Sequence, residues 1–438
     1  MHKGIRIITK FSVSFVLLNI FSFPVNSAPL SDIEKLGKFI FFDTRLSVNK
    51  NQSCASCHSP EVGWTGPEAD LNAHGAVYEG SIETRFGARK PPSSAYATQS
   101  PILHYVKKGK RTIFVGGNFW DGRATGEKLG NPAADQAQGP FLNPVEQALP
   151  DAACVIYRVC MDEYDGITFD EAWPGTCSEI TLPNDIEENC AKDDSVIKLD
   201  TPTRDKVNIA YDKVALSIAA YEDSTKVNQF SSKFDYYLAG KVKLSREERR
   251  GLALFRGKGK CDNCHVIGSP GAKEPPLFTD YTYDNLGVPR NPENPWYTMP
   301  ETFNPDGYDW LDKGLGGFLE SHMDYAQFAP QNYGKHKIPT LRNVDARPDP
   351  EFVKAYSHNG YFKSLKSIVH FYNTRDVKPT CQDPLTTEAD ALAMDCWPEP
   401  EISVNLNTQE LGNLHLSDKE EDAIVAFLKT LTDGFSKK

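Results

Sequence analysis

The chain predicts an all-α protein: two related helical domains with long loops between and over their helices. Three observations lead there. First, Ser31-x-x-Glu34-x-x-Gly37-x-x-x-Phe41 returns as Ser245-x-x-Glu248-x-x-Gly251-x-x-x-Phe255, and each copy precedes a Cys-x-x-Cys-His motif. Each copy opens with Ser-x-x-Glu, the capping box of a helix start. Second, two further segments show one apolar face at helical spacing. One is Thr203 to Tyr221, through Val207, Ala210, Val214 and Ile218. The other follows a third box, Ser417-x-x-Glu420, through Ile424, Val425, Phe427, Leu428 and Leu431. Third, no long alternating strand pattern occurs. At 438 residues, two or three domains are expected. The repeat divides the chain into residues 28–235 and 236–438, after a leader of 1–27.

The leader has the form of an export signal. His2, Lys3, Arg6 and Lys10 precede a short apolar run, Phe11 to Val25, and Val25-Asn26-Ser27 fits a small-residue cleavage site. That run is short for a spanning helix, so the protein is expected to be periplasmic and not membrane-spanning. Net charge is −11, which argues against a nucleic-acid partner.

Ten cysteines in an exported chain need a use. Cys154, Cys160, Cys177, Cys190, Cys381 and Cys396 fit disulfides in an oxidising compartment. Cys381 and Cys396 are expected to pair locally and the other four among themselves. The segment 150–200 then becomes an excursion pinned by disulfides, and the Pro-rich segment 285–310 a loop packed over a domain.

The remaining four cysteines sit in Cys54-Ala55-Ser56-Cys57-His58 and Cys261-Asp262-Asn263-Cys264-His265. In this motif the two thiols add to the vinyl groups of a haem and the following His becomes the proximal iron ligand. Two covalently bound haem c groups are therefore expected, with Cys54, Cys57, His58, Cys261, Cys264 and His265 holding them in two cytochrome c-like domains. Zinc bound by CxxC pairs and a redox CxxC are the rival readings.

Further segments bear a resemblance. They are Leu36-Gly37-Lys38, Phe41-Phe42-Asp43, Arg45-Leu46-Ser47, Phe119-Trp120-Asp121-Gly122-Arg123-Ala124 and Gln136-Ala137-Gln138-Gly139-Pro140 with Asn143-Pro144 and Glu146. Later come Gly251-Leu252-Ala253-Leu254-Phe255, Pro339-Thr340-Leu341-Arg342-Asn343 and His358-Asn359-Gly360. In this order they resemble the bacterial di-haem cytochrome c peroxidase and MauG superfamily over most of the mature chain. The resemblance implies that hydrogen peroxide reacts at the first haem, beside Gln136 and Glu146. A carboxylate can move the peroxide proton, and a positioned amide can orient the bound oxygens. It implies that Trp120 lies between the haems. The sixth ligand of the second haem is Met in scavenging members and Tyr in MauG-type members. Here the position falls on Tyr372, with His370 the next candidate, and no Met is near. An oxyanionic ligand favours higher oxidation states than Met does, so the MauG-like branch is favoured, with a protein as the oxidised substrate. His74 matches the position of a resting ligand on the first haem. The family often holds Ca2+ between its domains. Tyr96 stands at the expected Asn, which leaves backbone carbonyls or Asp345 as oxygen donors. The alternatives are a scavenging peroxidase fed by a small cytochrome or cupredoxin, and a di-haem electron-transfer protein without peroxide turnover.

Overall fold

The computed structural model describes residues 29–109, 111–164, 166–268 and 275–436. The leader 1–27 and its cleavage site lie outside the described residues.

Helices supply the framework: α1 (Asp32–Phe42), α2 (Pro132–Ala137), α3 (Ala152–Cys160), α4 (Thr201–Asp223), α5 (Arg246–Arg256), α6 (Leu365–Thr374) and α7 (Asp418–Leu428). The capping boxes at Ser31, Ser245 and Ser417 all form. In the second, Glu248 Oε2 accepts from the Ser245 amide at 2.6 Å and Ser245 Oγ from the Glu248 amide at 3.1 Å. Each box satisfies amides that a helix start leaves without partners.

The two copies of the repeat make the same packing contact. α1 lies against α4, and α5 against α7. A Cβ built on Gly37 would sit 1.8 Å from the Ser217 carbonyl oxygen, and one on Gly251 1.8 Å from that of Ala423. Glycine is needed at both places because backbone meets backbone there. Two hydrophobic cores result. One runs from Leu36 to Val227, with Phe41, Phe141, Val207 and Val214. The other runs from Phe234 to Leu431, with Phe255, Phe278, Phe371 and Phe427.

Strict all-α character needs correction. Three two-stranded antiparallel sheets occur among the described residues. The longest is a hairpin of β1 (His104–Lys108) and β2 (Arg111–Val115). Its β1 residues are all exposed, so no inward/outward alternation marks the strand in the sequence.

The disulfides are Cys154–Cys190, Cys160–Cys177 and Cys381–Cys396, as expected. The first two pin the 150–200 excursion onto α3. Buried cations tie the cores together. Arg342 is 2 % exposed, bonds both carboxylate oxygens of Asp235 at 2.8 and 3.0 Å and lies over the rings of Phe230 and Tyr96. Lys354 donates to the carbonyls of Val62, Asn343 and Ala346 at 2.6, 3.0 and 3.0 Å.

Candidate functional site: two cavities sharing a tryptophan wall

Each Cys-x-x-Cys-His motif opens onto its own cavity. Cys54, Cys57 and His58 line the first, and Cys261, Cys264 and His265 the second. None of the four thiols is in a disulfide. Burial pushes Cys57 and Cys261 up to about 12, so they stay protonated. His58 Nδ1 lies 3.3 Å from the Trp64 carbonyl and His265 Nδ1 2.8 Å from that of Phe278. Such a partner fixes the tautomer and leaves Nε2 as the ligating atom. Burial lowers both imidazoles, His58 to about 4. They are held neutral, as a metal ligand must be.

These residues fit a haem in each cavity, and a second observation supports the fit. A haem carries carboxylates at one edge. Lys90 lines both cavities, and Lys337 and Lys354 line the second. Lys90 and Lys354 are buried and Lys337 half-buried, and none has a carboxylate within ion-pair distance among the described residues. Lys90 Nζ instead donates to Thr65 Oγ1 and the Pro91 carbonyl. Lys337 Nζ donates to Ser100 Oγ, Asn118 Oδ1 and the Gly117 carbonyl. Burial pulls Lys90 down to about 8 and Lys337 to about 7. An anion beside them would restore their charge.

The first cavity also collects Gln136, Pro140 and Glu146. Asn131 caps α2, its side chain accepting from the Ala133 amide at 2.8 Å, and α2 sets Gln136 on the wall. The Gln136 amide makes no hydrogen bond among the described residues. Desolvation pushes the Glu146 carboxyl up, while Arg123 and Asn143 pull it down. Arg123 is fixed by Asp121 at 2.8 Å and lies over the Phe119 ring.

Trp120 is 9 % exposed and lines both cavities. Its indole N–H donates to the Lys90 carbonyl at 2.8 Å, and its own carbonyl accepts from the Lys337 amide at 2.9 Å. Tyr372, on α6, lines the second cavity together with His265. Burial first, then the nearby sulfurs, holds its phenol well above the ordinary range. His370 does not line that cavity; its Nδ1 pairs with Glu421 at 2.9 Å. His74 lies on the surface, its side chain 62 % exposed and 2.9 Å from Glu293, and it lines neither cavity. At the positions considered for calcium, the Tyr96 hydroxyl donates to Asp433 and Asp345 pairs with Arg347.

Several wall residues escape sequence reasoning. His336 stacks on His358 at 3.5 Å beside Asp312. Their donor atoms lie close enough to hold an ion, but Asp312 already accepts from Nε and Nη2 of Arg89. Trp296 and Trp310, from the Pro-rich loop, line the first cavity. So does Glu222, which is 2 % exposed and has Oε2 without a partner. Desolvation raises its carboxyl to about 8. Between the ordinary carboxyl value and that figure, the folded state keeps a proton that the unfolded chain loses. Stability therefore falls as pH rises across this window. Glu222→Gln is expected to gain on the order of 3–5 kcal/mol over the parent at pH 8 and almost nothing at pH 4. Urea denaturation at the two pH values checks this; equal gains at both would refute it.

Fold and donor sets together define a covalent di-haem protein of the cytochrome c type. Residues 31–243 match the family described as di-haem cytochrome c peroxidase. The methylamine utilization protein MauG of Paracoccus denitrificans is 34% identical over 91% of this chain and 88% of its own. The cytochrome c551 peroxidase of Nitrosomonas europaea is 26% identical over 77% and 72%. Among solved structures, the diheme peroxidase BthA of Burkholderia thailandensis superposes with a TM-score of 0.68 at 27% identity, covering 93% of this chain and 87% of that one. The chain belongs to the di-haem cytochrome c peroxidase and MauG family. It is an oxidoreductase with two c-type haems, acting on peroxide with a redox donor. Among the described residues, no helix is long and apolar enough to cross a membrane.

Proposed function

We propose that this is a periplasmic peroxidase of the MauG-like branch, which oxidises a protein substrate, with domains 28–235 and 236–438 each carrying one haem after removal of 1–27. The three disulfides support an exported chain. The haems supply the redox chemistry, and the chain's residues supply proton handling and wiring. Peroxide enters the first cavity, where the Gln136 amide orients it. A Glu146 carboxylate oxygen takes the proton from one peroxide oxygen and returns it to the other, making the departing group water. Its desolvated setting, offset by Arg123, suits a group that must both accept and release a proton near neutrality. Trp120, shared by the two walls, carries electrons between the cavities. Lys90 and Lys337 are the residues that would hold the haem carboxylates. A calcium ion would have to rely on backbone carbonyls, because Asp345 is committed to Arg347.

One observation carries the choice of branch: Tyr372 shares the second cavity with His265, and among the described residues no methionine lines it. A ferric EPR spectrum at low temperature is expected to show one high-spin and one low-spin signal. Tyr372→Met is expected to raise the potential of the second haem by a few hundred mV, within the span that axial ligands command. An unshifted potential would remove Tyr372 as a ligand. Two low-spin signals would favour a scavenging peroxidase that needs activation, or a plain electron carrier.

A further inference from the structure

Every residue of β1 is exposed. Ile102, Tyr105 and Val106 are 43, 40 and 44 % exposed. Tyr105 sits at the centre of an aromatic patch. Its ring lies 5.1 Å from Phe328 and 6.4 Å from Tyr325, and Tyr325 stacks on His322 at 4.5 Å. Met323, next to His322, is 92 % exposed. Cations edge this patch. Lys107, Lys108 and Arg111 are exposed, and none has an ion-pair partner among the described residues. Elsewhere, exposed cations such as Lys50 and Lys128 pair with carboxylates, those of Glu187 and Asp212. The hairpin stands against the outer wall of the second cavity. The Gly116 amide donates to the Tyr281 carbonyl at 3.0 Å, and the Tyr283 hydroxyl donates to the Gly116 carbonyl. Asp284, with the partner strand His336–Lys337, lines that cavity.

Stability does not account for this arrangement. Lys108 and Arg111 face each other in the strand register, and like charges directly opposite destabilise a strand pair. Lysines on an edge strand can guard against aggregation, but a guard would not share its strand with an exposed tyrosine and valine. An aromatic centre with a charged rim is the anatomy of a protein interface. The charge chooses the occupant. The chain carries −11 overall, so the basic hairpin is a local exception. Over the ~8 Å that physiological salt leaves unscreened, it attracts carboxylates. An anionic bilayer would also meet the acidic remainder of the chain, whereas a small protein meets the hairpin alone.

We propose that the β1–β2 hairpin and the aromatic patch beside it dock an acidic protein partner, whose contact face has an apolar centre ringed by carboxylates. Ile102, Tyr105, Val106 and Met323 fill the centre. Lys107, Lys108 and Arg111 pair at the rim and steer the encounter. The contact stands on these residues; only the partner's role as a redox protein rests on the peroxidase reading.

The test titrates the ferric holoenzyme into two isotopically labelled probes, a zinc-substituted acidic cupredoxin and a basic c-type cytochrome, and follows their NMR signals. The cupredoxin is expected to bind, to bind more weakly as salt rises, and to give carbodiimide cross-links to Lys107 or Lys108. The double variant Lys107→Glu, Arg111→Glu is expected to bind it about tenfold more weakly. Lys108→Glu separates docking from folding. It sets opposite charges across the register pair, so binding falls while Tm holds or rises. A cupredoxin that does not bind, binding unchanged in the double variant, or a basic cytochrome held as tightly through the same lysines overturns the proposal. So does hairpin-dependent adsorption to vesicles of phosphatidylcholine and phosphatidylglycerol, which would make this a membrane surface, or cross-links there that join two copies of the enzyme. Docking as expected in a holoenzyme whose Soret band ignores peroxide would overturn the peroxidase reading and leave the interface standing.

Discussion

Glu146→Gln is expected to slow peroxide turnover by roughly 10²–10⁴-fold, the range a positioned acid–base group contributes. The substitution keeps shape and leaves an amide that cannot shuttle a proton. Haem content, the ferric EPR spectrum and the fold should be unchanged, because the Glu146 backbone bonds to Asn143 and Ser81 remain. The wild-type rate should also fall with acidification, as protonation through the raised Glu146 pKa removes the base. The variant should lack that limb of the pH profile. Stopped-flow mixing with peroxide across pH reads both effects. A variant with the wild-type rate and profile would transfer the proton role elsewhere, and Glu222, a buried carboxyl of the same cavity, would be the next to test.

Gly251→Ala and Gly37→Ala form the second large effect. Each methyl group would collide with a backbone oxygen that no rotamer can move. The paired helix must shift, at a cost of about 3 kcal/mol or more. For a domain of this size that is a drop of roughly 6–12 °C in Tm. Gly87→Ala is the control, since nothing lies within 4 Å of the place its methyl group would take. Calorimetry on the three variants settles the matter. Equal melting of all three would mean that the helix pairs adjust freely and that the repeated glycine is incidental.

That glycine also shows what could be read from the chain. The repeat, its capping boxes and the Cys-x-x-Cys-His motifs are local patterns, so the helix starts and the motifs that line the two cavities were legible. Counting from His358 led to Tyr372, which lines the second cavity, because the two positions are joined by a tight turn and one short helix. Glu146 and Gln136 were legible only through resemblance; alone they are polar residues in a connecting segment. Lys90, Lys337, Glu222 and Trp296 were not legible at all. Each gains its meaning from burial beside residues far away in the chain, and a lysine destined for the interior is written like any surface lysine. His74 illustrates the opposite case. Its spacing from His58 suggested a ligand, but the loop that carries it ends on Glu293 at the surface. The β1–β2 hairpin escaped because its exposed strand has no buried face to record.

The hydrogen bond of Trp120 has a bearing on how long a charge can rest there. An indole that has lost an electron becomes a strong acid and, beside a base, decays to a neutral radical that is slow to move on. The partner of this indole is the Lys90 carbonyl, which cannot keep a proton, and a lysine side chain stands next to it. In the role proposed for Trp120, residence of a charge there would be both brief and unfavourable. The ring would serve as a crossing point, spared the irreversible oxidation that a lingering radical would bring.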